Sequence, residues 1–442
     1  MDINYNADVI VVGAGPSGIA AAISVAKSGK KVVLIERAQY PGSKNMYGGA
    51  VYTTALKEVF GDDFKTFKYE RIINSHTWSF LNETGSFEMT FKDGKSENAY
   101  AIKRFNLESR MIEIAKSRGV YYVPNTLVKH LIIENEFVVG VETEQEKYYA
   151  PITILADGVN SLLARELQLR CDYQPKDMIL SVKEAIKLDK KVIEERFNLK
   201  DDLSNGVNKQ YFGTNFGSLK EYKSLFMMTF LYTFKDMLML GVGVNLADLS
   251  KNKLNINKIL DEVKKHPDIE PLIKGGECCE YSAHLIPEGG YKKVPKLYAN
   301  GVIIVGDAAG FVNGVHFEGT NFALISGKLA GETALIALEN NDYNQITLSL
   351  YRKKLEKSFI LQDLYSYRNV IDQLYSRSNS LSVYYPKKIK EFFEIITSAN
   401  CISKSQQIRE YIFSYFKDRK ITELFKDVSA ALKCALDVFF GK

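Results

Sequence analysis

An α/β protein is the fold class these 442 residues predict: a parallel-sheet domain interrupted by an antiparallel sheet and followed by a helical region. Three observations predict it. Near the N-terminus two β-branched runs, "DVIVV" (8–12) and "KVVLI" (31–35), flank a Gly-rich turn and a small-residue helix. Residues 178–245 alternate strand-like runs. Beyond about residue 340, apolar side chains recur three and four apart, which is the helical period.

The elements follow in order. Residues 8–37 read as strand, helix, strand, with "SGIAAAISVAKSG" (17–29) as the helix; unbroken β-branched runs suit strands buried on both faces. Residues 67–92 have antiparallel character. "LESRMIEIAKSRG" (107–119) reads as a helix, with Asn106 as N-cap and Gly119 as C-cap. Residues 120–158 read as a strand, a short meander and a final strand ending at Ala156. Between 178 and 245 the strands are broken by one charged helix, "KKVIEERF" (190–197). The 225–244 hairpin is apolar on both alternations apart from Lys235 and Asp236 at its turn, which suits a buried sheet and also a shallow membrane-facing patch. The last helix keeps one apolar stripe (Ile421, Leu424, Phe425, Val428, Leu432, Ala435 and Phe439); such stripes usually pack on their own core, and docking on a membrane is the second reading. The expected division is 1–66, 100–177 and 294–340 for a discontinuous nucleotide domain, 67–99 and 178–293 for the antiparallel domain, and 341–442 for the helical region.

Composition excludes several classes. A net charge of +5 spread over this length is too small to imply nucleic acid. Five cysteines (171, 278, 279, 401 and 434) show no CxxC and no repeated ligand spacing, which points to reduced thiols in a cytosolic setting. Cys278 and Cys279, being adjacent, suit a strand end better than a redox disulfide. His76, His130, His266, His284 and His316 lie far apart, so no metal site is expected. No secretory signal precedes the first strand, and no run approaches the roughly 18 apolar residues of a spanning helix.

The chemistry sits in three loops. Gly13-x-Gly15-x-x-Gly18, with Pro16 and Ser17 between, follows a strand and opens a helix. Its first glycine permits a tight turn, its second admits a pyrophosphate and its third allows close helix packing. Glu36 ends the next strand, eighteen residues after Gly18, where an acid binds ribose hydroxyls. Ala156-Asp157-Gly158 and Gly306-Asp307 follow two further buried strands. A dinucleotide with a long ribityl chain and a tricyclic ring reaches far beyond the first loop, so distant segments hold its second half; FAD is the implied cofactor and the domain is Rossmann-like.

This three-part pattern resembles the glutathione-reductase-type FAD fold in its aromatic-hydroxylase-like branch. That resemblance implies that Asp307 binds the ribityl region, that the helix after "EGTN" (Gly319, Thr320, Asn321) faces the pyrimidine edge of the flavin, and that Arg104 lies near the phosphates. More closely, "PGSKNMYGG" (41–49), "VKEAI" (182–186), "IEERFNL" (193–199), "YSAHLIPEGGYKKVPKLY" (281–298) and "GDAAGFVNGVHFEGTNFALISGK" (306–328) resemble the electron-transfer-flavoprotein–quinone oxidoreductase family, nearest its FixC-type branch. The resemblance runs in order to about residue 370. It implies electrons received from an electron-transfer flavoprotein, a small ferredoxin-like iron–sulfur subunit as a further partner, and delivery to a menaquinone-type quinone. It places the protein in the cytoplasm or peripherally on the inner face of the membrane.

Lys44 and Asn45 fall where the family loop passes the flavin ring, and His316 lies in the flavin loop, where it touches the ring or makes a structural hydrogen bond. With Arg37 and Val128 they complete the candidate cofactor set, His316 excepted; no catalytic group beyond the flavin and no metal is expected. Met227 and Met228 stand where the family tends to have glycines. With Phe230 and Tyr232 they are the candidate quinone residues, and they either line an apolar tail channel or fill the pocket. Three alternatives stand beside this reading: a geranylgeranyl-type prenyl reductase, an NAD(P)H-dependent aromatic monooxygenase, and a non-catalytic flavin-bound subunit.

Overall fold

The β-branched runs become the centre of a six-stranded sheet in a computed structural model that describes residues 6–43, 48–222 and 225–440. Its order is Tyr298–Ala299, Val302–Ile304, Ile152–Leu155, Val9–Val12, Val32–Ile35 and Tyr121–Val123. All neighbours run parallel except the first pair. The four inner strands are buried along their whole length, as a parallel sheet covered on both faces requires. One covering layer is the helix Pro16–Ala26 with the late helix Thr320–Glu339 beside it. Their contact is closed by Gly327, where an added Cβ would stand 2.0 Å from the Ser17 carbonyl oxygen.

Arg104–Ser117 is helical, three residues earlier than the apolar pattern begins. The strand Ala99–Lys103 runs straight into it, and Arg104 pairs with Glu108 across the first turn, so Asn106 lies inside the helix and caps nothing. Gly119 follows the C-cap residue Arg118, at φ 90°. The charged helix Lys190–Phe197 keeps its expected bounds because Asp189 accepts the Lys191 N–H at 2.8 Å.

The second sheet has seven strands, in the order Glu277–Pro287, Met178–Lys187, Met237–Asn245, Met227–Thr233, Val207–Phe212, Ser75–Asn82 and Gly85–Lys92. Val207–Phe212 and Ser75–Asn82 pair parallel and the other neighbours antiparallel. The Met227–Asn245 hairpin lies at its middle, and its second strand is buried at every position. Of the two environments its composition allowed, it occupies the buried sheet. Gly48–Tyr52, Ala99–Lys103 and Arg71–Ile73 form a separate small sheet that straddles the divisions expected at 66 and 99.

From Gln345 onward the chain is helical. Here the expectation that the last helix, Ile421–Phe440, packs its stripe on its own core is corrected. Its apolar stripe faces outward: Ile421 is 64% exposed, Phe425 74% and Phe439 79%, while Leu424 and Ala435 are half-buried. The polar face turns inward. Asp427, the helix's buried residue, takes Arg419, Ser380 and Tyr385, and Asp437 takes Arg368 and Asn369. A helix attached through ion pairs has its apolar side left for something else.

Candidate functional site

Two helix N-termini open on one cavity of about 760 Å³ between the two large sheets. The first is Gly15-Pro16-Ser17 after the Val9–Val12 strand, and the second is Gly319-Thr320. Among the described residues neither has a side-chain cap, and neither carries an acid in its first turn. Unsatisfied N–H groups with a positive dipole end are anion sites. Gly13 makes the first turn possible: its φ is 101°, and a Cβ there would fall 2.3 Å from the Ala156 oxygen. The Ala156 N–H in turn bonds the Val12 carbonyl at 2.8 Å, which locks the Ala-Asp-Gly loop against the Gly-rich one.

Glu36 sits at the end of the Val32–Ile35 strand and is already half engaged. Its Oε2 accepts the Ala14 N–H and its Oε1 the Ala38 N–H, both at 2.8 Å. The carboxylate therefore has a fixed direction and lone pairs left for a ribose. Arg37, Val128, Asp157 and Gly158 line the same end of the cavity. Burial pushes the Asp157 carboxyl up, and its Oδ1 has no partner among the described residues. An orphaned buried acceptor beside two uncapped helix ends fits a dinucleotide whose hydroxyls and phosphates would complete it.

Deeper in, Asp307, Arg104, His284 and Lys183 share the wall. Arg104 donates its Nε to Glu108 Oε1 at 2.9 Å. Asp307 is raised by burial against the pull of His284, Arg104 and Arg170, and His284 is lowered by burial. Lys183 donates to the Gly48 carbonyl at 2.5 Å, and burial with the Arg104 charge brings its amine down to about 7. The surface that Lys183 retains opens on the cavity.

Beyond these groups the wall turns apolar: Met228, Phe230, Phe226, Ile371 and Leu374, with Tyr232 at its edge. The pleat separates the two methionines. Met228, Phe230 and Tyr232 face the cavity, whereas Met227 is 1% exposed and packs in the core beneath the sheet. Met227 is thus corrected from a pocket residue to a core residue. Gly18, Gly306 and Asn321 do not line the cavity either: Gly18 packs on Gly13, Gly306 on Ser17, and Asn321 buries an Oδ1 without a described partner. Lys44 and Asn45 lie outside the described residues. His316 stands edge-on to Tyr367 at 4.9 Å and is not part of the wall. All five cysteines are free, and among the described residues no group of His, Cys, Asp or Glu could hold a metal.

Lys183, Glu288 and Tyr375 line the cavity without having been singled out in the sequence. For Lys183 a signal existed: a lysine inside the apolar strand "ILSVKEAI", in step with Ser181, which shares its face. Tyr375 had none, because it arrives from the helical C-terminal region.

The chain has known relatives. Residues 8–164 match the model of the FAD dependent oxidoreductase family. The chain is 34% identical over 428 residues to "Protein FixC" of Bradyrhizobium diazoefficiens, covering 95% of this chain and 97% of that one. It is 33% identical over 430 residues to the "Probable electron transfer flavoprotein-quinone oxidoreductase YdiS" of Escherichia coli K12, with the same coverage of 95% and 97%. Among solved structures, a geranylgeranyl bacteriochlorophyll reductase-like protein of Thermoplasma acidophilum superposes with a TM-score of 0.73 at 21% identity, covering 96% of this chain and 98% of that one. The FAD-dependent halogenase CndH gives 0.64 at 16%, covering 88% and 89%. These two show the shared fold. The class is accordingly an FAD-dependent oxidoreductase of electron transfer. Within it, the chain belongs to the family of FixC proteins and electron-transfer-flavoprotein–quinone oxidoreductases.

Proposed function

We propose that this protein takes electrons from an electron-transfer flavoprotein and passes them, through FAD held in the cavity, to a menaquinone-type quinone at the inner face of a membrane. The observation that carries the reading is the continuity of the cavity from uncapped helix ends to an apolar chamber. Such a space accepts an anionic dinucleotide at one end and a lipophilic ring at the other. In this reading Gly13, Gly15, Pro16 and Ser17 hold the pyrophosphate, with Arg104 beside it. Glu36 holds the ribose, Asp307 the ribityl chain, and Gly319 and Thr320 the pyrimidine edge of the ring. FAD supplies the capacity to store two electrons and release them to the acceptor. Met228, Phe230 and Tyr232 keep the acceptor's ring dry and oriented.

No helix of the described residues is long and apolar enough to cross a membrane. The outward faces of the last two helices support peripheral contact instead. Phe413, Phe416, Phe425, Leu432 and Phe439 are exposed, with Lys417, Lys426 and Lys433 also exposed on those helices and Lys420 exposed at their junction. Each such side chain buried in the acyl boundary contributes about 1.5–3 kcal/mol, and the lysines favour anionic headgroups. Since the cysteines make no cluster site, an iron–sulfur relay in this scheme belongs to a separate ferredoxin-like subunit. The prenyl-reductase alternative has the structural likeness behind it, and at 21% identity that supports the fold alone.

The test is anaerobic stopped-flow of the reduced holoprotein with a short-chain menaquinone analogue. Reoxidation that saturates with quinone concentration supports the reading. Slow reoxidation that stays linear in quinone refutes it.

A further inference from the structure

A buried carboxyl stands between the flavin loop and the C-terminal helices. Glu288 lines the cavity at the end of the Glu277–Pro287 strand, and its own N–H bonds the Asp177 carbonyl at 2.8 Å. On one side Tyr375, from the helix Val370–Ser376, donates its hydroxyl to Glu288 Oε2 at 3.0 Å. On the other, Gly314 makes room for the carboxyl: a Cβ there would lie 2.5 Å from Glu288 Oε1. Gly314 belongs to the loop joining Gly306-Asp307 to the helix that opens at Gly319. The carboxyl therefore abuts the flavin loop, and the cavity it lines is also walled by the apolar Phe226, Met228, Ile371 and Leu374. Among the described residues no lysine or arginine is paired with it. Lys293, whose side chain lies against the next residue, Gly289, is paired with Asp177 at 3.3 Å.

We propose that Glu288 is the proton donor to the acceptor reduced in this chamber, with Tyr375 holding its carboxyl in place. The proposal rests on the quinone reading above. The step balances: a quinone takes two electrons and one proton from the anionic reduced flavin and its second proton from the Glu288 carboxyl. Quinol, oxidised flavin and the Glu288 carboxylate result, and solvent returns the proton to the carboxylate. Burial pushes the carboxyl up to about 7, so near neutral pH it still carries a proton to give. The titratable groups around it are Tyr375, with Asp248 behind it, Asp177 and Lys293, and Tyr173 against Gly289. The role also gives the helical region a part in the chemistry, since Ile371, Leu374 and Tyr375 wall the chamber.

The experiment compares wild type, Glu288→Gln and Tyr375→Phe as reduced holoproteins against two oxidants. One is a short-chain menaquinone analogue, which needs protons; the other is ferricenium, which accepts electrons alone. For the quinone, the wild-type rate is expected to fall as pH rises through about 7, following ionisation of the donor. Glu288→Gln is expected to be slower by about 10²-fold with that ionisation gone, and Tyr375→Phe slower by a smaller factor. Ferricenium rates are expected to be unchanged in all three. Redox-difference infrared spectra add a readout independent of turnover: the protonated-carboxyl band of the wild type is expected to vanish in Glu288→Gln. Equal quinone rates in wild type and Glu288→Gln, or loss of the ferricenium reaction together with the quinone reaction, would overturn the proposal. If the wild type itself fails to saturate with quinone, the failure belongs to the reading of the acceptor.

Discussion

Replacing Lys183 by methionine should change how stability depends on pH more than it changes stability itself. The unfolded chain keeps the lysine proton up to the ordinary 10.5, whereas the folded flavin-free protein releases it near 7. Between those values the unfolded state binds more protons, so this group makes the folded state gain stability as pH rises. From about pH 6 to about pH 9 the proton difference accumulates over roughly two pH units, at about 1.4 kcal/mol each, which gives about 2–3 kcal/mol. Lys183→Met removes that slope and keeps the volume. It also leaves the Gly48 carbonyl without its donor, a cost of about 1 kcal/mol that does not vary with pH. Urea unfolding of both flavin-stripped proteins across this range measures the difference. The variant should gain on the wild type toward the acid end and lose toward the alkaline end. A stability gap that stays constant with pH would refute the argument that burial and the Arg104 charge govern this amine.

Three further outcomes follow from the same geometry. Gly13→Ala should abolish flavin retention, because a Cβ would fall 2.3 Å from the Ala156 oxygen at a φ of 101°; the ultraviolet–visible spectrum of the purified protein reads this directly. Met227→Ala and Met228→Ala should diverge. The first costs about 2–5 kcal/mol in denaturant unfolding with acceptor kinetics kept, and the second alters acceptor kinetics at little cost in stability. The paired change Phe425→Asp and Leu432→Asp should release the protein from anionic vesicles in a flotation assay while ferricenium reduction is unchanged, since both side chains are exposed and distant in sequence from the cavity wall.

Local rules made much of this molecule legible. Strand, turn and helix at 8–37 were readable because β-branched runs, a glycine triplet and small residues all specify one unit. The charged helix 190–197 was readable because Asp189 supplies its cap within two residues. What escaped depends on partners far along the chain. Asn106 has the chemistry of a cap, yet a strand pairing fixed the helix start upstream of it. Which of two adjacent methionines faces the cavity depends on strand register, a matter of pairing with Val244 and Gly243. The last helix misled for a related reason. An apolar stripe announces that something covers it, and the ion pairs and hydrogen bonds of Asp427 and Asp437, made with residues 42 to 69 positions away and with nearby Arg419, decide that the covering is not this chain's own core.

The contact between Ser17 and Gly327 has a consequence for how the protein comes into being. The two residues stand about three hundred positions apart, and their helices must meet before the two uncapped ends can open on one cavity. A nascent chain that has only just left the ribosome with its first Gly-rich loop complete has half a binding site. The cradle closes once the late helix has been synthesised and has docked. Until then the orphaned N–H groups and the buried carboxyl of Asp157 have only water to answer them. On the placement of FAD proposed above, cofactor capture is tied to the last stages of folding, and a flavin nucleotide bridging both ends would act as the clasp that holds the finished topology shut.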